Sequence, residues 1–289
     1  MGKTENLLRR RLAIIKDRAE RLRALREKAP PPQLWSAPSA APCSLSDAAP
    51  GETRVIESCA FYLIRTTADA DAAEAPAVAA AFSELTRDPA WASPLFDGAA
   101  WGRALEGVRA ERVCFFDIET TGLTPNTYVF LCGAMFVENG RFVIEQIFAR
   151  DYSEEIGMLL YTNELLRRFD ALVTFNGRTF DVPFVSTRMA IGKIDYHGPR
   201  EHIDLLYPAR RAFSQRLPNC RLGTIERHLR GVEREGDIPG ADIPEAYHSF
   251  VRDGDARLIK RILYHNRMDL LTMGTLINHL AARPNPPKL

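Results

Sequence analysis

Two carboxylates stand two residues apart at the end of an apolar run, in the segment CFFDIETTGL of residues 114–123. Side chains two apart on a β-strand point to the same face, so a strand over residues 113–120 would place Asp117 and Glu119 side by side. At about 5 Å and an effective dielectric constant near 20, the two charges would repel by roughly 3 kcal/mol. A bound divalent cation would remove that cost. Exposure of one carboxylate on an edge strand is the alternative interpretation.

A third carboxylate, Asp181, lies in the segment TFNGRTFDVPFV of residues 174–185, where a short apolar strand passes into a helix. Two interpretations of Asp181 are open. It could cap the helix N-terminus ahead of Pro183, which is a frequent use of aspartate. It could instead form a second acidic site.

The last helical segment carries a histidine and an aspartate four residues apart, in the sequence YHNRMDLLTM of residues 264–273. This spacing puts His265 and Asp269 on one face of a helix, about 5–6 Å apart. Taken alone, the two residues are best explained as a hydrogen-bonded structural pair on a largely apolar helix. A general base beside a metal ligand is the alternative.

Considered together, the three segments favour a catalytic site. Four carboxylates would balance two divalent cations, and two ions about 3.5–4 Å apart can activate a water and stabilise the leaving oxygen in phosphodiester cleavage. His265 would take the proton from the attacking water, a role that suits its unperturbed pKa near 6.5. The four carboxylates are Asp117, Glu119, Asp181 and Asp269.

The same segments resemble a known family. DIETTGL, NGRTFDVPF and HNRMD resemble the three motifs of the DEDD 3′–5′ exonucleases, which share the ribonuclease H fold. DIET and FDVP also resemble the proofreading domains of family B DNA polymerases. The stretches LPNCRLGTIERHLRG and REGDIPG, within residues 217–240, extend the resemblance to the bacterial YprB-like ribonuclease-H-fold group. The resemblance covers roughly residues 112–280.

Carried over to this chain, the resemblance implies a set of ligands for two Mg²⁺ or Mn²⁺ ions and a set of contacts to the terminal nucleotide of the substrate. Asn176 could also contact a phosphate, although a role in the turn before Gly177 explains it equally well. The implied ligands are Asp117, Glu119, Asp181 and Asp269. The implied substrate contacts are Thr120, Thr121 and Leu123.

The general base departs from the family's spacing. The histidine subclass places its histidine five residues before the last aspartate, and the tyrosine subclass places its tyrosine four before. Here His265 is four residues before Asp269, and Tyr264 is five before. We favour His265 because it shares a helix face with Asp269, and Tyr264 is the alternative.

Turn signals and hydrophobic patterns predict an α/β fold with a mixed sheet flanked by helices, and the resemblance implies that this sheet is ribonuclease H-like. Asn139-Gly140 is a strong hairpin signal. The Ala-rich residues 69–87 are predicted to form either a flexible crossing segment or a short helix. Strands are predicted over residues 112–118, 128–137, 141–149, 171–175 and 202–205, with one or two more over 53–67. Helices are predicted over residues 153–169, 180–190, 206–213, 222–229, 244–252 and 256–282.

The beginning of the chain differs in charge from the rest. Residues 1–28 hold ten Lys and Arg against four Asp and Glu, so a local charge of +6 leaves −5 for the remainder of a chain whose total is +1. We predict a basic amphipathic helix over residues 1–29, which could bind a protein or nucleic acid. A Pro/Ala-rich linker over 30–51, an accessory segment over 52–111 and an exonuclease domain over 112–283 follow.

The prediction for the whole chain is a metal-dependent 3′–5′ exonuclease that acts on single-stranded DNA or RNA. Two alternatives stay open: a weak or inactive nucleic-acid-binding module of the same fold, and a structure-selective endonuclease. Five cysteines without a CxxC pair indicate reduced thiols. Neither a signal peptide nor an apolar run of transmembrane length is found, so we predict a cytoplasmic protein without a membrane span.

Overall fold

The computed structural model describes residues 41–70, 74–87, 108–231 and 233–281. The predicted basic helix over residues 1–29 lies outside the described residues, as do residues 30–40 of the predicted linker. From Pro42 onward, the described chain belongs to one compact unit.

Seven strands form one mixed sheet. They are β1 (Glu52–Ile56), β2 (Cys59–Thr67), β3 (Val113–Thr120), β4 (Val129–Glu138), β5 (Arg141–Phe148), β6 (Ala171–Thr174) and β7 (Glu201–Asp204). Across the sheet the order is β1-β2-β5-β4-β3-β6-β7. The first five strands of that order are antiparallel neighbours, whereas β6 and β7 run parallel to β3. The sheet therefore has an antiparallel part and a parallel part that meet at β3.

Helices cover both faces of the sheet, as the sequence predicts. They are α1 (Leu45–Ala48), α2 (Ala75–Leu85), α3 (Glu155–Leu166), α4 (Asp181–Ile191), α5 (Leu206–Phe213), α6 (Leu222–Arg230), α7 (Ile243–Asp253) and α8 (Arg257–Ala281). The Ala-rich segment whose structure the sequence leaves open contains α2. The other predicted elements within the described residues match the structure to within a few residues at each end.

Turn chemistry explains why the central hairpin forms where the sequence predicts it. Asn139 and Gly140 both have positive φ, 52° and 75°, which suits the two-residue turn that best matches the twist of paired strands. The hairpin register then runs from Glu138 opposite Arg141 to Leu131 opposite Phe148. This turn fixes which β4 and β5 side chains share a face.

Alternation along β3 separates two apolar clusters. Cys114, Phe116 and Ile118 belong to the cluster under α3, α4 and α7. Val113 and Phe115 belong to the other cluster, which includes apolar residues of α2, α5 and α6. Helix α8 contributes to both clusters, so it packs closely against the middle of the sheet.

The end of the predicted linker is part of the folded unit rather than free chain. Ser44 caps α1 by accepting a hydrogen bond from the Asp47 N–H at 3.2 Å. The hydroxyl of Tyr62 in β2 donates to the Ala49 carbonyl at 3.0 Å, and Ala49 is buried. A cap and a buried hydrogen bond thus attach residues 44–49 of the predicted linker to the folded unit.

Strands β1 and β2 extend the same sheet that β3 belongs to. The boundary predicted between an accessory segment and an exonuclease domain at residues 111 and 112 stays a prediction. All five cysteines are unpaired. Among the described residues, no helix combines the length and apolar character that a membrane crossing requires.

Candidate active site

The end of β3 presents Asp117 and Glu119 on one face of the sheet. Both side chains are partly exposed, whereas the residues next to them, Phe116, Ile118 and Thr120, are buried. This is the alternation that the i, i+2 spacing predicts. The strand pairing shifts register between Glu119 and Thr120, so regular β structure ends directly after the second carboxylate.

Asp181 reaches the same strand from the start of α4. Its carboxylate Oδ1 accepts a hydrogen bond from the Ile118 N–H at 3.2 Å, and the residue is 5% exposed. Phe180 is the capping residue of α4, and Asp181 is the first residue of the helix. The capping interpretation of Asp181 is therefore wrong, because Asp181 is not the capping residue and its carboxylate accepts from the β3 backbone.

Helix α8 brings His265 and Asp269 to this end of the sheet. His265 Nδ1–H donates to Asp237 Oδ1 at 2.8 Å, and His265 Nε2 lies 3.7 Å from Asp269 Oδ2. Tyr264 instead packs against the apolar cluster around α2, α5 and α6. The structure thus places His265, and not Tyr264, beside the carboxylates.

Charge repulsion marks the carboxylates as one cluster. Burial, followed by the charges of Asp269 and Asp181, raises the pKa of both Asp117 and Glu119 well above the usual range. Burial is also the main cause that raises the pKa of Asp181 to about 7. Carboxylates of this kind cannot all be ionised near neutral pH unless positive charge is supplied.

The pKa of the histidine is raised as well, but for an imidazole a raised pKa favours the charged form. Burial on its own would lower the pKa of His265, but the hydrogen bond to Asp237 and the charges of Asp269, Asp237 and Asp117 raise it overall. His265 therefore sits where a positive charge is favoured. If His265 accepted a proton, the neighbouring carboxylates would stabilise the resulting positive charge.

Comparison with known proteins assigns the fold. Residues 114–281, more than half of the chain, match the RNase_H superfamily. The chain belongs to the RNase_H superfamily. Nuclease activity on nucleic acid is the function that this membership indicates, and the mixed sheet flanked by helices is its ribonuclease H-like fold.

The predicted similarity to the YprB-like group is confirmed. Over 188 residues the chain is 33% identical to the uncharacterised protein YprB of Bacillus subtilis strain 168, which covers 62% of this chain and 44% of that protein. The chain thus spans less than half the length of this relative.

Among solved structures, the family B DNA polymerase of the hyperthermophilic archaeon Pyrobaculum calidifontis is 19% identical and gives a TM-score of 0.44. The match covers 60% of this chain and 27% of the polymerase chain.

Two further charged residues of this RNase_H superfamily member contact the cluster. Neither is among the site residues predicted from the sequence. Arg234 Nη2 donates to Asp269 Oδ1 at 2.6 Å, and its Nε donates to Glu226 at 2.5 Å. Asp237 holds His265 as described above. Both lie in the REGDIPG stretch, which has no helix or strand periodicity. The charged residues of this stretch were the sequence feature that could have pointed to Arg234 and Asp237.

The predicted substrate residues lie around the turn after β3 and the turn after β6. Leu123 is 87% exposed, whereas Thr120 is buried and its hydroxyl donates to the Gly122 carbonyl at 2.6 Å. Thr121 accepts from the Tyr128 N–H at 2.9 Å, which closes the turn. Asn176 has a φ of 69°, and its N–H donates to the buried carboxylate of Asp204 at 2.7 Å. The turn role explains the Asn176 backbone.

A cleft of about 540 Å³ opens directly beside His265 and Asp269. Its volume lies within the roughly 300–1,000 Å³ range of ligand pockets in proteins. The opposite wall comes from the first turns of α6 and from the loop that carries Arg234 and Asp237. The cleft connects His265 and Asp269 to solvent.

The donor atoms of the cluster suit a hard divalent cation in chemistry. Mg²⁺ and Mn²⁺ prefer carboxylate oxygen, and burial together with the neighbouring carboxylate charges raises the pKa of Asp117 and Glu119, which a bound cation would counteract. Within the described residues, no three His, Cys, Asp or Glu side chains converge closely enough to enclose one ion as they stand. The hydrogen bond to Arg234 occupies one oxygen of Asp269.

Proposed function

We propose that this protein is a metal-dependent nuclease that hydrolyses phosphodiester bonds at the 3′ ends of DNA or RNA strands. The observation that supports it best is the cluster of four carboxylates from β3, α4 and α8, in which the charges of Asp269 and Asp181 add to burial in raising the pKa of Asp117 and Glu119. Superfamily membership supports the nuclease class. The 3′–5′ direction and the exonuclease type rest on the motif resemblance.

Asp117, Glu119, Asp181 and Asp269 would hold two Mg²⁺ or Mn²⁺ ions. Bound there, the ions would lower the pKa of a water and stabilise charge on the phosphate oxygens. Binding would also relieve the repulsion that the carboxylates experience among themselves. Each of the four side chains supplies the hard oxygen that these cations prefer.

His265 is the residue that we assign to accept the proton of the attacking water. The Nδ1–H donation to Asp237 fixes the tautomer in which Nε2 carries the free lone pair. Nε2 faces Asp269 at 3.7 Å, so the lone pair is directed toward the carboxylate cluster. After proton transfer, the imidazolium lies between Asp237 and Asp269, which stabilise its positive charge.

The cleft beside His265 is where we place the end of the substrate strand. Two exposed arginines on its wall, Arg221 and Arg227, are positioned to contact phosphates. Leu123 on the other side of β3 is exposed and is proposed to contact the terminal base, with Thr120, Thr121 and Asn176 as further contacts that the resemblance or the sequence suggests.

The direct test is cleavage of labelled single-stranded DNA and RNA oligonucleotides by the full chain with Mn²⁺. A 5′-labelled strand should give a ladder of progressively shorter products, and Asp117→Ala should abolish it. Equal inertness of wild type and variant on both substrates would refute the enzyme hypothesis. Cleavage of circular or 3′-blocked strands would instead identify an endonuclease.

An inactive binding module of the same fold is distinguished by metal-dependent thermal stability. Ions bound only by the folded state raise the melting temperature, by an amount that grows with the ratio of ion concentration to Kd. We expect a rise with Mn²⁺ in wild type and a much smaller one in Asp117→Ala. No response in wild type would favour the binding module.

A further inference from the structure

A row of three residues crosses the middle of the sheet beside the candidate site. Asp117 in β3 is paired with Gly133 in β4, and Gly133 is paired with Gln146 in β5. Directly paired residues point to the same face of a sheet. On this face, the row therefore has a carboxylate at Asp117, no side chain at Gly133 and an amide at Gln146. The glycine leaves a gap between the two polar side chains.

Asn266 of α8 fills this gap. A Cβ added at Gly133 would collide with the Asn266 side-chain amide, so only glycine leaves room for it. Asn266 is fully buried and Gln146 is 4% exposed. Asn266 Nδ2 donates to Asp117 Oδ2 at 2.9 Å, and Gln146 Nε2 donates to Asn266 Oδ1 at 2.9 Å. The two amides thus form a buried hydrogen-bonded chain that ends on a candidate metal ligand.

A backbone carbonyl sets the direction of this chain. Gln146 Nε2 also donates to the Leu263 carbonyl at 2.7 Å, and a carbonyl oxygen can only accept. The Gln146 amide must therefore present its NH₂ group toward α8. Asn266 then presents its oxygen to Gln146 and its NH₂ group to Asp117. The hydrogen-bond partners therefore fix the orientation of both amides.

We propose that Asn266, oriented by Gln146, is a positioning residue that holds Oδ2 of Asp117 and leaves Oδ1 of the same carboxylate for a bound divalent cation. This role rests on the proposed function of the site. A fixed N–H donor to Oδ2 stops the carboxylate from rotating. Partners that orient metal ligands in this way typically contribute about 10–100-fold to metal affinity.

A purely structural explanation exists and makes a different prediction. Buried amides must be hydrogen-bonded, so Gln146 and Asn266 could serve only to pack α8 on the sheet. In that case their loss would lower the stability of the fold but not the affinity of the folded protein for metal. Intrinsic metal affinity therefore separates the two roles.

The experiment measures Mn²⁺ binding to the full chain by the loss of the free-ion EPR signal, without nucleic acid. We expect Asn266→Leu to weaken Mn²⁺ binding by about 10–100-fold. Gly133→Ala, which displaces Asn266 but changes no polar group, should weaken it in the same way. Gln146→Leu leaves both Asn266 and Asp117 in place and should give a loss of about tenfold, since the Asn266 amide can then turn over.

Gly274→Ala is the matched control, because it adds the same methyl group to buried α8 but meets only the flexible end of Met135 at 3.3 Å and the ring of Phe142 at 3.4 Å. It should bind Mn²⁺ as wild type does. Circular dichroism establishes that each variant is folded, and Gln146→Leu provides the test if Asn266→Leu does not fold. Folded variants with wild-type affinity would overturn the positioning role alone. A wild-type chain that binds no Mn²⁺ would overturn both this role and the proposed function.

Discussion

Two groups of carboxylates in this protein differ in how their charge is balanced. Glu155 receives hydrogen bonds of 2.8 and 2.5 Å from Arg188, and both side chains are almost fully buried. Asp117 and Glu119 form no ion pair with a lysine or arginine among the described residues, and their closest charged neighbours are other carboxylates. Burial without a partner is costly, so the first group serves the fold and the second is suited to an external cation.

Asp269 stands between these two groups. It borders the unbalanced carboxylates, but Arg234 donates to one of its oxygens and also pairs with Glu226. The network Glu226–Arg234–Asp269 anchors one side of the site to α6. The comparison therefore predicts that removing a paired partner damages the fold, whereas removing an unpaired carboxylate damages function and relieves repulsion.

The largest expected effect concerns the unbalanced group. Asp117→Ala should lower the rate of oligonucleotide hydrolysis by at least about 1,000-fold, because several kcal/mol of charge stabilisation depend on the bound ions. Asp170→Ala is the control, since this exposed carboxylate pairs with Arg112 at the opposite end of β3. It should leave the rate unchanged. A loss of less than tenfold in Asp117→Ala would contradict the assignment.

The buried pair of Glu155 and Arg188 should instead affect the stability of the fold. Arg188→Met leaves Glu155 buried without its cation, which typically costs about 3–5 kcal/mol of unfolding free energy. Denaturant unfolding measures this value. The exposed pair provides the comparison, because Arg112→Met should cost no more than about 1 kcal/mol. Similar losses in the two variants would show that burial does not separate the pairs.

A smaller effect is expected at Asp237. Asp237→Asn can donate to His265 Nδ1 and so move the ring proton to Nε2, where it blocks proton acceptance. We expect a rate about 10–100-fold lower. Loss of the carboxylate also lowers the pKa of His265, so the acid limb of the pH–rate profile should shift to lower pH. An unshifted profile would argue against His265 as the base.

The smallest effect concerns pH and stability without metal. The folded-state pKa values of Asp117, Glu119, Asp181 and His265 are raised above their unfolded values, so the folded state binds more protons. Stability should therefore fall as pH rises from about 4, the unfolded-state pKa of a carboxyl, through the folded-state pKa of Asp181 of about 7, by on the order of 1 kcal/mol per pH unit for each group that titrates. Asp117→Asn should reduce this slope. A wild-type protein that becomes more stable over this range would contradict the raised pKa values.

Local periodicity explains which parts of the site the sequence could predict. Asp117 and Glu119 follow from the two-residue strand period, and His265 and Asp269 from the four-residue helix spacing. Asp181 required the motif resemblance, because an aspartate at a helix start is usually a cap. Most strands and helices were predictable for the same periodic reason, and the hairpin followed from Asn139-Gly140.

The remaining parts depend on tertiary contacts that no local pattern encodes. Arg234 and Asp237 lie in an irregular loop, so nothing in the spacing shows that they meet α8. Gly133 in an apolar strand looks like a minor irregularity until the Asn266 amide is seen to occupy its place. The hydrogen bond from the Tyr62 hydroxyl to Ala49 likewise joins a segment that composition alone marks as linker.

The partly buried hydrogen bond from Asn266 to Asp117 joins residues 149 positions apart. Contacts of such separation carry a large loop-closure cost and form late when a chain folds. During synthesis, β3 leaves the ribosome long before α8, and Asp117 and Glu119 have neither Asn266 nor Asp269 beside them until that helix has been made and has packed on the sheet. The nascent protein is thus without a complete acidic site until α8 has been made, and activity would begin only once that helix has docked on the sheet.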